Sequence, residues 1–406
     1  MKSFDREIEK FMRARNVPGG ALAVVKDGRL VYAKGYGWAD REKKVPVTPT
    51  SLFRIASVSK PVTAVAVMKL VEEGRIDLDA KAFDIVRLPP VFTKRKKPDP
   101  RLKRVTIRQL LQHTGGWDRD KSFDPMFRPV EIAEAVGVPP PAPPEAVIRY
   151  MLGQPLDFDP GARYAYSNFD YCVLGRIIET VTGMTYEQYV KKHVLAPIGI
   201  KRMRIGASPL RKRAKDEVRY YTRDDAVSDS VFPEPVAPTS CRQQAGSLRY
   251  TFRKVPTPYG SFHLEAMDAH GGWIASAVDL ARFSAAFHDP QNCSLLQPET
   301  IETMYAPPLA PAWRGEDGTL QDAYYACGWM VRPVKDEKAN YWHGGSLPGT
   351  ATLLVRRWDG WSWAVLFNQR SNDSQLPDNA IDAAMHRAAD AVKRWMKEDL
   401  FPQFER

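Results

Sequence analysis

Long hydrophobic runs are missing from this chain: no apolar stretch approaches the ~20 residues that a helix needs to cross a bilayer. The opening residues (Met1, Lys2, Ser3, Phe4, Asp5, Arg6, Glu7) are charged and lack the apolar segment of a signal peptide. A cytoplasmic location is therefore the expectation, or a periplasmic or secreted one if a leader has been removed. Cysteine is scarce as well. Cys172, Cys241, Cys293 and Cys327 are widely spaced with no C-x-x-C pair, which argues against a disulfide framework and a zinc ribbon. The seven histidines include no H-x-H or H-E-x-x-H spacing, so no metal is expected. A G-x-S-x-G elbow is also absent, which argues against an α/β-hydrolase.

What is present is enough for a large core: 44% of the 406 residues are hydrophobic and 26% are charged. Length alone gives two or three domains as a starting expectation. The net charge of +11 is densest at Lys94, Arg95, Lys96, Lys97, Arg101, Lys103 and Arg104, and again at Arg211, Lys212, Arg213 and Lys215. Both clusters lie beside prolines in loop-like stretches, without interleaved aromatics or a known binding module. They read as solvated surface that mildly attracts anions, with neither nucleic acid nor membrane as a partner.

The pattern along the chain changes from end to end. Residues 3 to 15 place Phe4, Ile8 and Phe11 at helical spacing. Ala21 to Val25 and Leu30 to Lys34 flank Asp27-Gly28, a hairpin signal. From about Lys60 to Glu73 the chain reads as a buried helix closed by Gly74, with Pro61 in its first turn, so it must begin near Ser57 to Lys60. Thr106 can cap a short helix through Leu110 and Leu111, and residues 168 to 193 read as helix broken at Gly183. Residues 205 to 265 give no clear pattern. Tyr324 to Arg332, Ala351 to Arg356 and Trp361 to Phe367 read as antiparallel strands, and Asn379 to Lys397 as a last helix. β-elements at both ends with helices between imply one sheet assembled from the two termini, with a helical lobe inserted.

Chemistry centres on Ser57-Val58-Ser59-Lys60. On a helix, positions i and i+3 share a face, so the Ser57 hydroxyl and Lys60 amine can meet. A serine hydroxyl needs a base to become a nucleophile, and a lysine serves only when burial lowers its pKa. The apolar helix offers that burial, and its N-terminus offers positive potential for an oxyanion. The bland alternative is Ser57 as a helix cap with Lys60 in water.

Residues 45 to 79, VPVTPTSLFRIASVSKPVTAVAVMKLVEEGRIDLD, resemble the nucleophile region of the class C β-lactamase family, which includes penicillin-binding DD-peptidases, D-aminopeptidases and related esterases. Leu110 to Gly116 resembles its LLxHTSG segment, and Tyr166-Ser167-Asn168 its Y-x-N motif. Gly271-Gly272-Trp273 with Ser276, Asp279 and Leu280 is similar to its GG-x-x-S-x-x-DL segment, and His343-Gly344-Gly345 stands where it carries K-T-G or H-x-G. The resemblance implies an α+β, β-lactamase/transpeptidase-like fold: an antiparallel sheet flanked by helices plus an all-α lobe, with the site between them. One catalytic domain would span residues 1–406, its α/β part from about 1–55 and 275–406 and its helical part about 56–274.

The resemblance also implies roles. Tyr166 completes a Ser–Lys–Tyr trio as phenolate or through hydrogen bonding, Asn168 bonds Lys60 and substrate, and His343 bonds Tyr166 or substrate. The N–H groups of Ser57 and Ser346 form the oxyanion hole, and Gly344 and Gly345 leave room for a ligand. Trp117 and Trp273 are expected at the cleft mouth, with Asp118, Arg119 and Asp120 tuning selectivity, while Tyr164 is expected to be structural. No Leu-Asn pair occurs, so the E-x-x-L-N element of class A β-lactamases is missing. The expected activity is hydrolysis of small ester or amide substrates through a Ser57 acyl-enzyme, without cofactor or metal. The alternatives are a DD-carboxypeptidase or class C-like β-lactamase acting on a β-lactam, and a non-catalytic binding relative. The oligomeric state stays open.

Overall fold

The computed structural model describes residues 1–93, 97–234, 250–309, 313, 321–334, 338–371 and 379–404. Lys94, Arg95, Lys96 and Cys241 lie outside them, as does part of the 205–265 stretch. The described residues contain thirteen strands: β1 (Gly19–Lys26), β2 (Arg29–Asp40), β3 (Val45–Pro46), β4 (Phe53–Arg54), β5 (Arg204–Ile205), β6 (Val227–Asp229), β7 (Lys254–Pro256), β8 (Trp273–Ala275), β9 (Tyr324–Tyr325), β10 (Met330–Pro333), β11 (Ala339–Leu347), β12 (Thr350–Arg356) and β13 (Trp361–Phe367). Eight of them form one antiparallel sheet in the order β3-β2-β1-β13-β12-β11-β10-β9. As the pattern implied, strands from the two ends meet: Gly20 pairs with Phe367 and Lys26 with Trp361.

The period of two along each strand divides the sheet between two cores. Leu22 and Val24 of β1, with Val365 and Phe367 of β13, pack against the helices Lys2–Arg15 and Ala380–Asp390. Ala21, Ala23 and Val25 point the other way, into the core shared with the helices Ser59–Glu72 and Ala277–Ala285. Burial on both faces is why β1 is a continuous apolar run. The Ser59–Glu72 helix is wrapped on nearly all sides, hence its unpatterned hydrophobicity.

Two sequence expectations need correction. Tyr324 to Arg332 is not one strand; β9 and β10 are a hairpin that turns at Gly328, whose φ is +82°. A Cβ there would lie 2.4 Å from the Ala64 Cβ, so only glycine lets this turn rest on the Ser59–Glu72 helix. The last helix ends at Asp390, not Lys397, because its buried stripe (Ile381, Ala384, Met385, Ala388, Ala389) stops there. Trp395 beyond it packs edge-on against Trp361 at 5.5 Å.

Arg54, buried at the end of β4, ties the irregular segment to the sheet. Its guanidinium donates to the carbonyls of Pro258, Ala207 and Ser208, stacks 4.5 Å from the Tyr220 ring centroid, and lies 3.7 Å from the Glu217 carboxylate. Both charged groups are almost wholly buried. Removing one partner strands the other in a low dielectric, which typically costs about 3–5 kcal/mol. Arg54→Met is therefore expected to destabilise the protein by about that amount, read as a lowered denaturation midpoint.

Candidate active site

The turn that carries Ser57 is made by the backbone before it. Ala56, a non-glycine residue at φ +48°, opens the 3-10 turn Ala56–Val58 that leads directly into the Ser59–Glu72 helix. Such a conformation persists only where the surroundings over-determine it. They do here: the Ile55 N–H donates to the Trp273 carbonyl at 3.0 Å, and the Thr352 and Thr350 hydroxyls donate to the carbonyls of Ile55 and Arg54, each at 2.9 Å. Ser57 is partly open to solvent between buried neighbours.

Lys60 is fully buried, with its amine 2.8 Å from Asn168 Oδ1, 3.1 Å from the His270 carbonyl and 3.3 Å from Ser57 Oγ. Burial holds its pKa well below the ordinary lysine value, partly opposed by Asp124 and reinforced by Arg119. Asn168 Oδ1 and the His270 carbonyl can only accept, so in the neutral amine they take the two N–H bonds and the lone pair faces Ser57.

Tyr166 reaches the same point from the loop before the helix Asn168–Thr182, whose N-cap Ser167 accepts from the Asp170 N–H. His113 supports that loop. Its Nδ1 accepts from the Ser167 N–H at 3.2 Å and its ring packs 4.4 Å from the Tyr166 ring. The Lys60 amine and the Arg119 guanidinium each lie 4.6 Å from the Tyr166 ring centroid. Burial raises the Tyr166 pKa, with the hydrogen bond to Ser57 and the Arg119 charge pulling back. Tyr166 is thus a neutral phenol, which favours hydrogen bonding over the phenolate alternative.

Of the two partners expected for His343 on β11, Tyr166 or substrate, the first is corrected: His343 does not bond Tyr166, the two rings being 6.5 Å apart. Its Nδ1 lies 2.6 Å from the Gly344 carbonyl and must donate, so Nε2 accepts from the Tyr325 hydroxyl at 2.9 Å. Burial and the nearby Lys60 push its pKa down to about 3, leaving it uncharged. Trp117 and Trp273 are corrected too: neither is at the cleft mouth. Trp117 packs edge-on against Phe169 and Phe83, and buried Trp273 donates to the Tyr186 hydroxyl at 2.9 Å. Tyr164, expected to be structural, lines the cleft and stacks 4.4 Å from Trp313.

A cleft of about 970 Å³ opens onto Ser57 and is lined by Arg119, Tyr166, Asn168, Tyr325 and residues His343 to Ser346. Of the neighbouring loop, Asp118 instead binds Arg163 at 2.7 Å and Asp120 pairs with Arg119 at 3.8 Å. Sequence reasoning missed Asp124, whose Oδ2 accepts from Asn168 Nδ2 at 2.6 Å, as well as Tyr325 and the two threonine clamps. Asp124-Pro125 is an ordinary cap signal, and nothing local distinguishes it. No group of residues suited to a metal occurs among the described residues.

The beta-lactamase family model matches residues 4–386. The chain belongs to the beta-lactamase family. Within that family it is 32% identical to protein flp of Staphylococcus aureus (strain MW2) over 202 residues, 49% of this chain and 37% of that protein. The chain thus spans well under half the length of these staphylococcal relatives. It is 23% identical to penicillin-binding protein 4* of Bacillus subtilis (strain 168) over 381 residues, 90% of this chain and 71% of that one. Among solved structures, the octameric penicillin-binding protein homologue from Pyrococcus abyssi superposes with a TM-score of 0.66 at 27% identity, covering 94% of this chain and 77% of that one. D-amino acid amidase from Ochrobactrum anthropi SV3 shares the fold, with a TM-score of 0.67 at 21% identity over 96% and 98% of the two chains.

The two cleft glycines of this family member are not equivalent. A Cβ on Gly345 would lie 2.3 Å from both the Ile55 carbonyl and Thr352 Oγ1, and 3.1 Å from the Ser57 nitrogen, whereas one on Gly344 would meet only the Thr352 carbonyl at 3.8 Å. Displacing a reacting group by ~1 Å can cost about 10²-fold in rate. Gly345→Ala is expected to lose about that much of any hydrolysis that runs through this cleft, and Gly344→Ala to stay within about threefold of native, as an assay with a p-nitrophenyl ester would read.

Proposed function

We propose that this protein is a serine hydrolase that opens small ester or amide substrates through an acyl-enzyme on Ser57. The observation that carries the reading is the fully buried Lys60 amine 3.3 Å from Ser57 Oγ, its other contacts being the acceptors Asn168 Oδ1 and the His270 carbonyl, with burial lowering its pKa. Lys60 takes the serine proton as Ser57 Oγ bonds to the substrate carbonyl carbon. The neutral Tyr166 phenol gives its proton to the leaving group and is reprotonated from Lys60. Water then repeats the sequence in reverse, with Tyr166 and Lys60 removing its proton, and frees Ser57. The N–H groups of Ser57 and Ser346 hold the oxyanion; the close approach of Gly345 to the Ser57 nitrogen supports this. Such a donor is typically worth about 3 kcal/mol in the transition state.

Uncharged His343 offers a substrate carboxylate no cation, which favours esters and amino-acid amides over substrates that end in a free acid. A second reading, a penicillin-binding carboxypeptidase or β-lactamase, draws on Arg119, Arg332 and Arg370, which line the same cleft. Intact-mass spectrometry after exposure to esters, D-amino-acid amides and penicillins separates the two by which adduct forms and decays. Persistent labelling by penicillin without turnover of esters or amides would establish the second.

Ser57→Ala is expected to reduce hydrolysis of a p-nitrophenyl ester by at least about 10³-fold, and unchanged turnover would exclude the mechanism. The base works only when neutral, so kcat/KM rises with pH through the Lys60 pKa. That acidic limb is expected well below the ordinary lysine value, with no step from His343 near neutrality. A pH–rate profile checks both.

A further inference from the structure

Behind Lys60 lies a carboxylate that the chemistry above does not use. Asp124 caps the short turn Pro125–Phe127: its Oδ1 accepts from the Met126 N–H at 3.1 Å and its Oδ2 from Asn168 Nδ2 at 2.6 Å. The other end of that amide, Oδ1, accepts from Lys60 Nζ at 2.8 Å. The two ends of an amide are nearly the same size, so its direction is set by the chemistry of its partners and not by shape. Both oxygens of Asp124 face N–H donors, as a carboxylate requires. An acceptor-only partner turns the Asn168 NH2 group toward itself and the carbonyl toward Lys60.

That direction matters to the base. A neutral amine has two N–H bonds and one lone pair. Asn168 Oδ1 and the His270 carbonyl take the N–H bonds, and the lone pair remains for Ser57 Oγ at 3.3 Å. Were the amide reversed, Nδ2 would donate into the lone pair and divert it from the serine. We propose that Asp124 is a positioning residue that fixes the direction of the Asn168 amide and so aims the Lys60 lone pair at Ser57. The proposal rests on the Ser57–Lys60 reading above.

Asp124 also acts on Lys60 through space. Of the groups that face the amine, Asp124 and Asp170 favour its protonated form and Arg119 opposes it, while Tyr166, Tyr171, His113, His270 and His343 are uncharged around it. Burial raises the Asp124 carboxyl pKa, opposed by its bonds from Asn168 and the Met126 N–H; above that pKa, removing the Asp124 charge lowers the pH at which the amine loses its proton. A residue that merely stabilised the loop would not move this limb.

The test is the pH dependence of kcat/KM for p-nitrophenyl butyrate, and of inactivation by a fluorophosphonate, in the full-length protein. Asp124→Asn keeps the shape but can present an NH2 group to Asn168, allowing the reversed amide. Asp124→Ser keeps an oxygen for the Met126 N–H but no charge. Both are expected to lose about 10- to 100-fold in kcat with KM within about threefold, a part of what a general base contributes. Both are expected to move the acidic limb about one pH unit lower, and Asp124→Glu to return it toward the native position. Limbs that superimpose on the native one in Asp124→Asn and Asp124→Ser, or a limb in Asp124→Glu displaced as far as theirs, would overturn the proposal. Mapping the adduct in the native protein keeps the two readings apart. An adduct on Ser57 leaves the profiles to judge Asp124 alone, whereas labelling elsewhere removes the Ser57 reading and this one with it.

Discussion

An amine with no contacting counter-ion, closed off from water, is the constraint around which this molecule is arranged. A protonated Lys60 in that position would need its charge matched, and nearby carboxylates are held off: Asp124 reaches it only through the Asn168 amide, and Asp170 is engaged by Ser167 Oγ at 2.7 Å. The balance leaves the lysine uncharged, the phenol of Tyr166 protonated and His343 neutral. Low dielectric thus favours the free-base form of the lysine and disfavours ionisation of the Tyr166 phenol and the His343 ring.

Holding that arrangement takes support from distant parts of the chain. The turn carrying Ser57 depends on a positive φ at Ala56, which threonines on β12 and the Trp273 carbonyl keep in place. Tyr166 is braced by His113, itself at φ +55° and buried among Tyr164, Tyr166, Tyr171 and Tyr325. The hairpin at Gly328 packs against the Ser59–Glu72 helix. Each support comes from a different segment, and none is adjacent in sequence to the residue it positions.

That separation explains which features could be read from the chain alone. Local geometry was legible: the three-residue spacing of Ser57 and Lys60, the cap at Thr106, the break of a helix at Gly183, and the hairpin across Asp27-Gly28. Motif order carried the fold, because strands at both ends with helices between leave few ways to close one sheet. Contacts between remote segments follow no spacing rule. Asp124, Tyr325 and the threonines of β12 therefore escaped notice although each touches a key group. The tryptophans misled for a related reason: a large aromatic after two glycines fits an exposed turn as well as a buried anchor, and only the surrounding Phe169 and Tyr186 decide. His343 was located correctly on its strand, but its partner Tyr325 lies on another strand and changes which atoms its ring leaves available.

The closure of the sheet by strands from both ends has a consequence for how the protein is made. On a ribosome, β1 emerges early and must wait, with both apolar faces bare, for β13. The threonines that lock the Ser57 corner lie on β12 and are translated almost as late. Such long-range pairing is slow and leaves edges open to aggregation while it is pending. The corner that holds Ser57 therefore stays unbraced until β12 and β13 have been synthesised, long after Ser57 itself.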